Sequence, residues 1–117
     1  MKKDGIKRIE LNKRKLVIMP TIPRSITLNG LTVETEYNEN LLSDRERFAE
    51  FCPRTLKITL AKNLSDQRAQ LSYCHEIVES IKSIYALDLK ETEIQALGLA
   101  FHELLMQGKL YTIIEEE

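Results

Sequence analysis

The stretch Tyr73-Cys74-His75-Glu76-Ile77-Val78-Glu79-Ser80-Ile81 lies inside the longest helix-like segment of the chain. Around it, Leu71, Cys74, Val78, Ile81 and Tyr85 recur at spacings of three and four, the period of one helical face. Ser65 stands before this pattern as an N-cap, and Asp66 suits the positive end of the helix dipole. The segment reads as a helix running to about Ala86. His75 and Glu79 fall in a row with Leu71, which places them at the margin of the buried face.

Working outward, Ala86 to Lys90 is a short connection. A second helix is expected from about Glu91 to Gln107, closed by Gly108. Its core face would be Ile94, Leu97, Phe101, Leu104 and Leu105, with Gly98 placed where another backbone could approach closely. His102 would then be an exposed helix residue, and Leu110 to Ile114 a last apolar patch. On the other side, Thr55-Leu56-Lys57-Ile58-Thr59-Leu60 alternates and reads as a strand. Ser43 and Glu46 have capping-box spacing, so the segment reads as a short helix from Asp44 to Phe51, stopping before Pro53, or else as an irregular loop.

Ser25 to Tyr37 is the clearest hairpin, because Asn29-Gly30 supplies two residues that tolerate positive φ between alternating flanks. Ile6 to Ile18 reads as an edge strand or a loose hairpin through Asn12-Lys13, and Pro20 and Pro23 break regular structure after it. Strands precede helices. The expected class is therefore α+β, with a small antiparallel sheet (the hairpin plus a third strand) packed on two helices.

The 117 residues suggest one domain over residues 20–117, preceded by a basic arm or edge strand over residues 1–19. Hydrophobic residues make up 43% and charged residues 30%, ordinary for a soluble globular chain. No apolar run reaches the roughly 18 residues of a membrane span, and no apolar segment follows Met1-Lys2-Lys3 to suggest a secretory signal. Cys52 and Cys74 do not make a disulfide framework, which favours a reduced, cytoplasmic setting. The net charge of −1 gives no general attraction to nucleic acid. The one hint of it is the arm over residues 1–15, with seven Lys and Arg against Asp4 and Glu10, a net of +5.

On a helix, residues four apart have Cβ atoms roughly 5–6 Å apart. His75 and Glu79 could both reach one metal ion, and Glu76, turned by about 100°, could hold a water as general base. The spacing is that of His-Glu-x-x-His, in which two imidazoles bind zinc, with Glu79 in place of the second imidazole. A third ligand must come from the start of the next helix, where spacing alone leaves Glu91 and Glu93 open. One imidazole and two carboxylates would bind zinc less well than two imidazoles, or favour manganese or iron. A His–Glu pair four apart also occurs as a simple surface ion pair. Cys74 points into the apolar stripe and reads as a buried structural thiol.

From Pro23-Arg24-Ser25-Ile26-Thr27-Leu28-Asn29-Gly30, through Leu56-Lys57-Ile58 and His75-Glu76-Ile77-Val78-Glu79-Ser80-Ile81, to Leu87-Asp88-Leu89-Lys90-Glu91 and Ile94-Gln95-Ala96-Leu97, the chain resembles small phage-type metallopeptidase-like proteins of the zincin group. Their plan is that of the ImmA/IrrE and SprT-like families, and the likeness covers roughly residues 20–107. The resemblance implies a metal-dependent hydrolase, peptidase-like and of phage or mobile-element origin, acting on a peptide or protein. It implies His75, Glu79 and Glu91 as zinc ligands, because Glu91 stands three residues before Ile94, and Glu76 as base. Most zincins carry His where this chain has Glu79. The alternative is a catalytically degenerate scaffold that works by binding a protein. In the hydrolase reading, the Thr55–Leu60 strand would be the edge that positions an extended peptide.

Overall fold

Asn29 and Gly30 both adopt positive φ, at 51° and 80°, so the strands on either side turn back on each other through a two-residue connection. In the computed structural model, which describes residues 6–12 and 15–107, this hairpin joins β3 (Ser25–Leu28) to β4 (Leu31–Asn38). Ahead of it, β1 (Ile6–Asn12) and β2 (Lys15–Pro20) pair antiparallel as a separate two-stranded sheet, the hairpin form of the two expected arrangements. The Leu110–Ile114 patch, the Gly108 cap and the first five residues of the basic arm lie outside the described residues.

The chain then forms the short helix α1 (Leu41–Arg45), the strand β5 (Ala49–Cys52) and the strand β6 (Lys57–Ala61). The expected helix from Asp44 to Phe51 is thus corrected. α1 begins earlier and ends at Glu46, which is in the left-handed region at φ 54°, and no side chain caps its start. Residues 49–52 are strand instead. Ala49 and Phe51 both pack on the core cluster, and that two-residue period outweighs the local capping signal.

The main sheet has the order β3-β4-β6-β5. It is mixed: β4 and β6 run parallel, and the other two pairs are antiparallel. The α+β class is as expected, but the sheet is not wholly antiparallel. The long passage through α1 and β5 returns the chain to the far end of the sheet, so β6 can lie alongside β4 in the same direction. β6 is therefore an interior strand with Ile58 and Leu60 fully buried, and the edge on this side of the sheet is β5. The Thr55–Leu60 segment cannot be the peptide-receiving edge.

Two helices, α2 (Asp66–Ile84) and α3 (Glu91–Met106), complete the layer. Ser65 Oγ accepts a hydrogen bond from Arg68 N–H at 3.1 Å, as its place before the helix predicts. Replacing Ser65 by alanine should lower stability by about 1 kcal/mol in urea denaturation, because an orphan donor is left at the helix start. An unchanged midpoint would show that water replaces the cap without loss.

Val33, Ile58, Leu60 and Tyr73 form the centre of the core, with Ile26, Leu28, Phe51 and Ile77 packed round it. The register explains this grouping. Ile26 lies opposite Val33, and Ile58 lies between Thr35 and Phe51, so one face of the sheet carries the apolar row that α2 covers. Cys74 and Val78 are buried as their stripe predicts, but Tyr85 at the end of α2 is exposed. On α3 the buried row is Ile94, Gly98 and His102, rather than the row through Leu97 and Leu104, which are exposed. His102 is thus a buried residue, not a surface one. A helix lying mainly against α2 buries a narrow face, and Gly98 sets that face by allowing the closest approach. Among the described residues, no helix is long and apolar enough to cross a membrane.

Candidate metal centre

Gly98 determines how α2 and α3 meet. A Cβ atom on Gly98 would lie 3.0 Å from His75 Cα and 3.3 Å from His75 N, inside normal contact distance. Only glycine lets the α3 backbone rest against α2 at this residue, as its position in the sequence suggests. Seven residues before Gly98, two helical turns away, Glu91 is carried to the same side of α3. It therefore emerges beside the next turn of α2, where His75 and Glu79 project.

His75 Nε2 lies 3.6 Å from Glu79 Oε2 and 3.7 Å from Glu91 Oε2. One ligand atom from each of the three residues falls within 4.8 Å of the others. These separations are long for hydrogen bonds. They are close to the roughly 3.3–3.5 Å edge of a tetrahedron whose corners sit about 2.0–2.2 Å from a central ion. The three residues could hold a metal ion through one imidazole nitrogen and two carboxylate oxygens.

Of the two candidate third ligands, Glu91 is the one grouped with His75 and Glu79. Glu93 turns back to the start of its own helix, where its Oε1 accepts a hydrogen bond from Lys90 N–H at 2.8 Å. That is half of a capping box, and it commits Glu93 to α3 itself. Glu91, whose side chain is 72% exposed, remains free to swing over His75. His75 and Glu79 are more enclosed, at 28% and 30%. The marginal placement expected for them is the one observed.

Glu76 differs from its neighbours. It is only 8% exposed, and its carboxyl is pushed up to about 7. Burial is the main cause, because a carboxylate loses its hydration there; the charges of Glu79, Glu50 and Glu91 add to the effect, and Arg47 opposes it. A carboxyl with this affinity for protons can take and return one near neutral pH. Cys74, by contrast, is buried and raised to about 11 by that burial, so it is an inert thiol of the core.

All four residues open on one groove of about 720 Å³. Its walls are α2, α3 and the segment Arg47 to Phe51 leading into and along β5. Reading residues 44–51 as helix concealed this wall, and with it Arg47, Phe48 and Glu50. The signal that could have revealed it is the alternation of Ala49 and Phe51 just ahead of Pro53. Arg68, one turn into α2, lies at the same groove with its guanidinium carbon 4.7 Å from the centre of the Phe48 ring.

No protein-family model matches the chain, and no match is found among curated proteins or solved structures. A reading of function therefore stands on these residues and their geometry.

Proposed function

We propose that the protein is a metal-dependent hydrolase acting on peptide or protein substrates, with His75, Glu79 and Glu91 as metal ligands and Glu76 as general base. The observation that carries this reading is the meeting, in one groove, of three ligand atoms within 4.8 Å and a buried carboxyl beside them. The donor set of one nitrogen and two oxygens suits zinc, and also manganese or iron(II). A divalent cation held there supplies Lewis-acid chemistry, polarising a carbonyl and acidifying water. Glu76 takes the proton from the water that attacks the carbonyl carbon, and delivers it to the amine nitrogen as the carbon–nitrogen bond breaks. Gly98 serves this chemistry by holding Glu91 over His75. The resemblance to zincin-type proteins supports the same assignment of roles.

The test is titration of chelator-stripped protein with zinc and manganese, read by calorimetry and thermal melting. One ion per chain and a raised melting temperature are expected, since a ligand selective for the native state stabilises it. Glu79→Ala should weaken binding by at least tenfold. Glu76→Gln should keep the metal and lose peptide hydrolysis. Equal metal affinity in wild type and Glu79→Ala would remove the assignment.

A further inference from the structure

Resting on the hydrolase reading, we infer that the groove selects peptides with a large apolar side chain within two residues of the bond cut, received by Phe48, Leu71 and Leu99.

Each wall of the groove brings one large apolar side chain to it: Phe48 from the approach to β5, Leu71 from α2 and Leu99 from α3. Phe48 and Leu99 are exposed and Leu71 is half-buried, so apolar surface is left uncovered inside the groove. Phe51, by contrast, is packed on the core, and Leu97 and Leu104 are exposed outside the groove. Ligand sites combine such concave apolar surface with a few polar groups that fix orientation. Here those polar groups are the ones of the proposed metal centre.

The three side chains fall on one side of His75. On α2, Leu71 stands four residues before His75, about 6 Å at 1.5 Å per residue, while Glu79 stands four residues after it. Gly98 rests against His75 and so fixes the level of α3. Glu91 meets His75 and Glu79 on one side of that contact, and Leu99, eight residues further along α3, is carried past it to the other. Phe48 joins Leu71 through Arg68, which lies three residues before Leu71 and holds its guanidinium carbon 4.7 Å from the centre of the Phe48 ring. That cation–π contact keeps the ring in place, so less freedom is lost when a ligand covers it. An extended peptide advances roughly 3.3 Å per residue, so 6 Å is about two residues from a bond held at His75. The charges in the lining are of both signs. Discrimination comes instead from the apolar area covered, which is worth at least tenfold for leucine or phenylalanine over alanine.

The test is a peptide series on the full chain carrying Glu76→Gln, with zinc present, so that binding is read without cleavage. Fluorescein-labelled, amidated alanine hexapeptides would differ at one central residue: alanine, leucine, phenylalanine, glutamate or lysine. By anisotropy, at least tenfold tighter binding of the leucine and phenylalanine peptides than of the other three is expected. The preference should persist as salt is raised, which an ionic preference would not. Adding Phe48→Ser and Leu99→Ser should reduce it to less than threefold while zinc affinity stays unchanged. Equal binding of all five peptides, no binding by any, or tightest binding of a charged one would overturn the inference, and so would an apolar preference that survives the two serine substitutions. The series without those substitutions decides the matter even if the serine variant misfolds. An apolar preference in a chain that binds no metal would leave the subsite standing and remove the hydrolase reading. Metal binding without the preference would do the reverse.

Discussion

Gly98→Ala is expected to lower stability by about 1 kcal/mol and to weaken metal binding by at least tenfold. Alanine inside a helix normally gains about 1 kcal/mol over glycine, because glycine loses more backbone freedom on folding. Here the added methyl would sit 3.0 Å from His75 Cα, and the atoms it meets are backbone, which cannot turn aside. Restoring a normal contact of about 3.7 Å requires α3 to move away from α2 by about 0.7 Å. Overpacking of this kind costs about 1–3 kcal/mol, enough to reverse the gain in helix propensity. The same movement carries Glu91 away from His75, and ligand geometry tolerates only about 0.5 Å. Ala100→Gly, at an exposed position of the same helix, is the control. It should cost about 1 kcal/mol through propensity alone and leave metal affinity unchanged. Urea denaturation and calorimetry on the two variants measure both effects. A Gly98→Ala protein as stable as wild type, with wild-type metal affinity, would show that the helices part freely and that Gly98 does not position the site.

The same contact explains why so much of the candidate site could be read in the sequence. His75, Glu76 and Glu79 lie within one turn and a half of one helix, so helical geometry alone fixes their relation. Gly98 and the short connection from Ala86 to Lys90 bring the next helix back against them. The choice of Glu91 over Glu93 needed the structure, because it depends on Glu93 capping its own helix through Lys90 N–H. The hairpin at Asn29-Gly30 was legible for the same local reason: two positive φ values define the turn.

The features that could not be read are long-range. Nothing near residues 44–52 indicates that β5 lies beyond β6, or that β4 and β6 run parallel. Those facts come from how the chain crosses the sheet, and short segments obey such tertiary constraints over their own propensity. The burial of His102 escaped for a related reason. The apolar pattern of α3 has two candidate faces, and the glycine, not the larger number of leucines, determines which one packs. One wall of the groove was hidden with β5, since Arg47 and Phe48 belong to the approach to that strand.

Glu76→Gln is expected to make the metal-free protein more stable, by about 3 kcal/mol at pH 8, while leaving it nearly unchanged at pH 4.5. The carboxyl of Glu76 is raised from 4.5 to about 7 in the folded chain. The folded state therefore holds this proton more tightly than the unfolded state does, and between these values stability falls as pH rises. The stabilising contribution of the protonated form is complete below pH 4.5 and is lost as pH passes through 7. At about 1.4 kcal/mol per unit, the full swing is about 3 kcal/mol. The sign follows from the surroundings. Burial disfavours the ionised form first; Glu79 and Glu91 on the two helices and Glu50 on β5 repel it further, and Arg47 alone offsets them. Glutamine keeps the shape and the hydrogen-bonding capacity but never ionises, so the variant should lack this pH dependence. Guanidinium melts of both proteins at pH 4.5, 6 and 8, with chelator present, measure the difference directly. Parallel stability curves across that range would mean that water reaches Glu76 freely and that its burial has no energetic consequence. A widening gap would show that the chain carries a destabilising charge at the place where the proposed hydrolysis needs a proton acceptor, the trade expected when function, not stability, sets a residue.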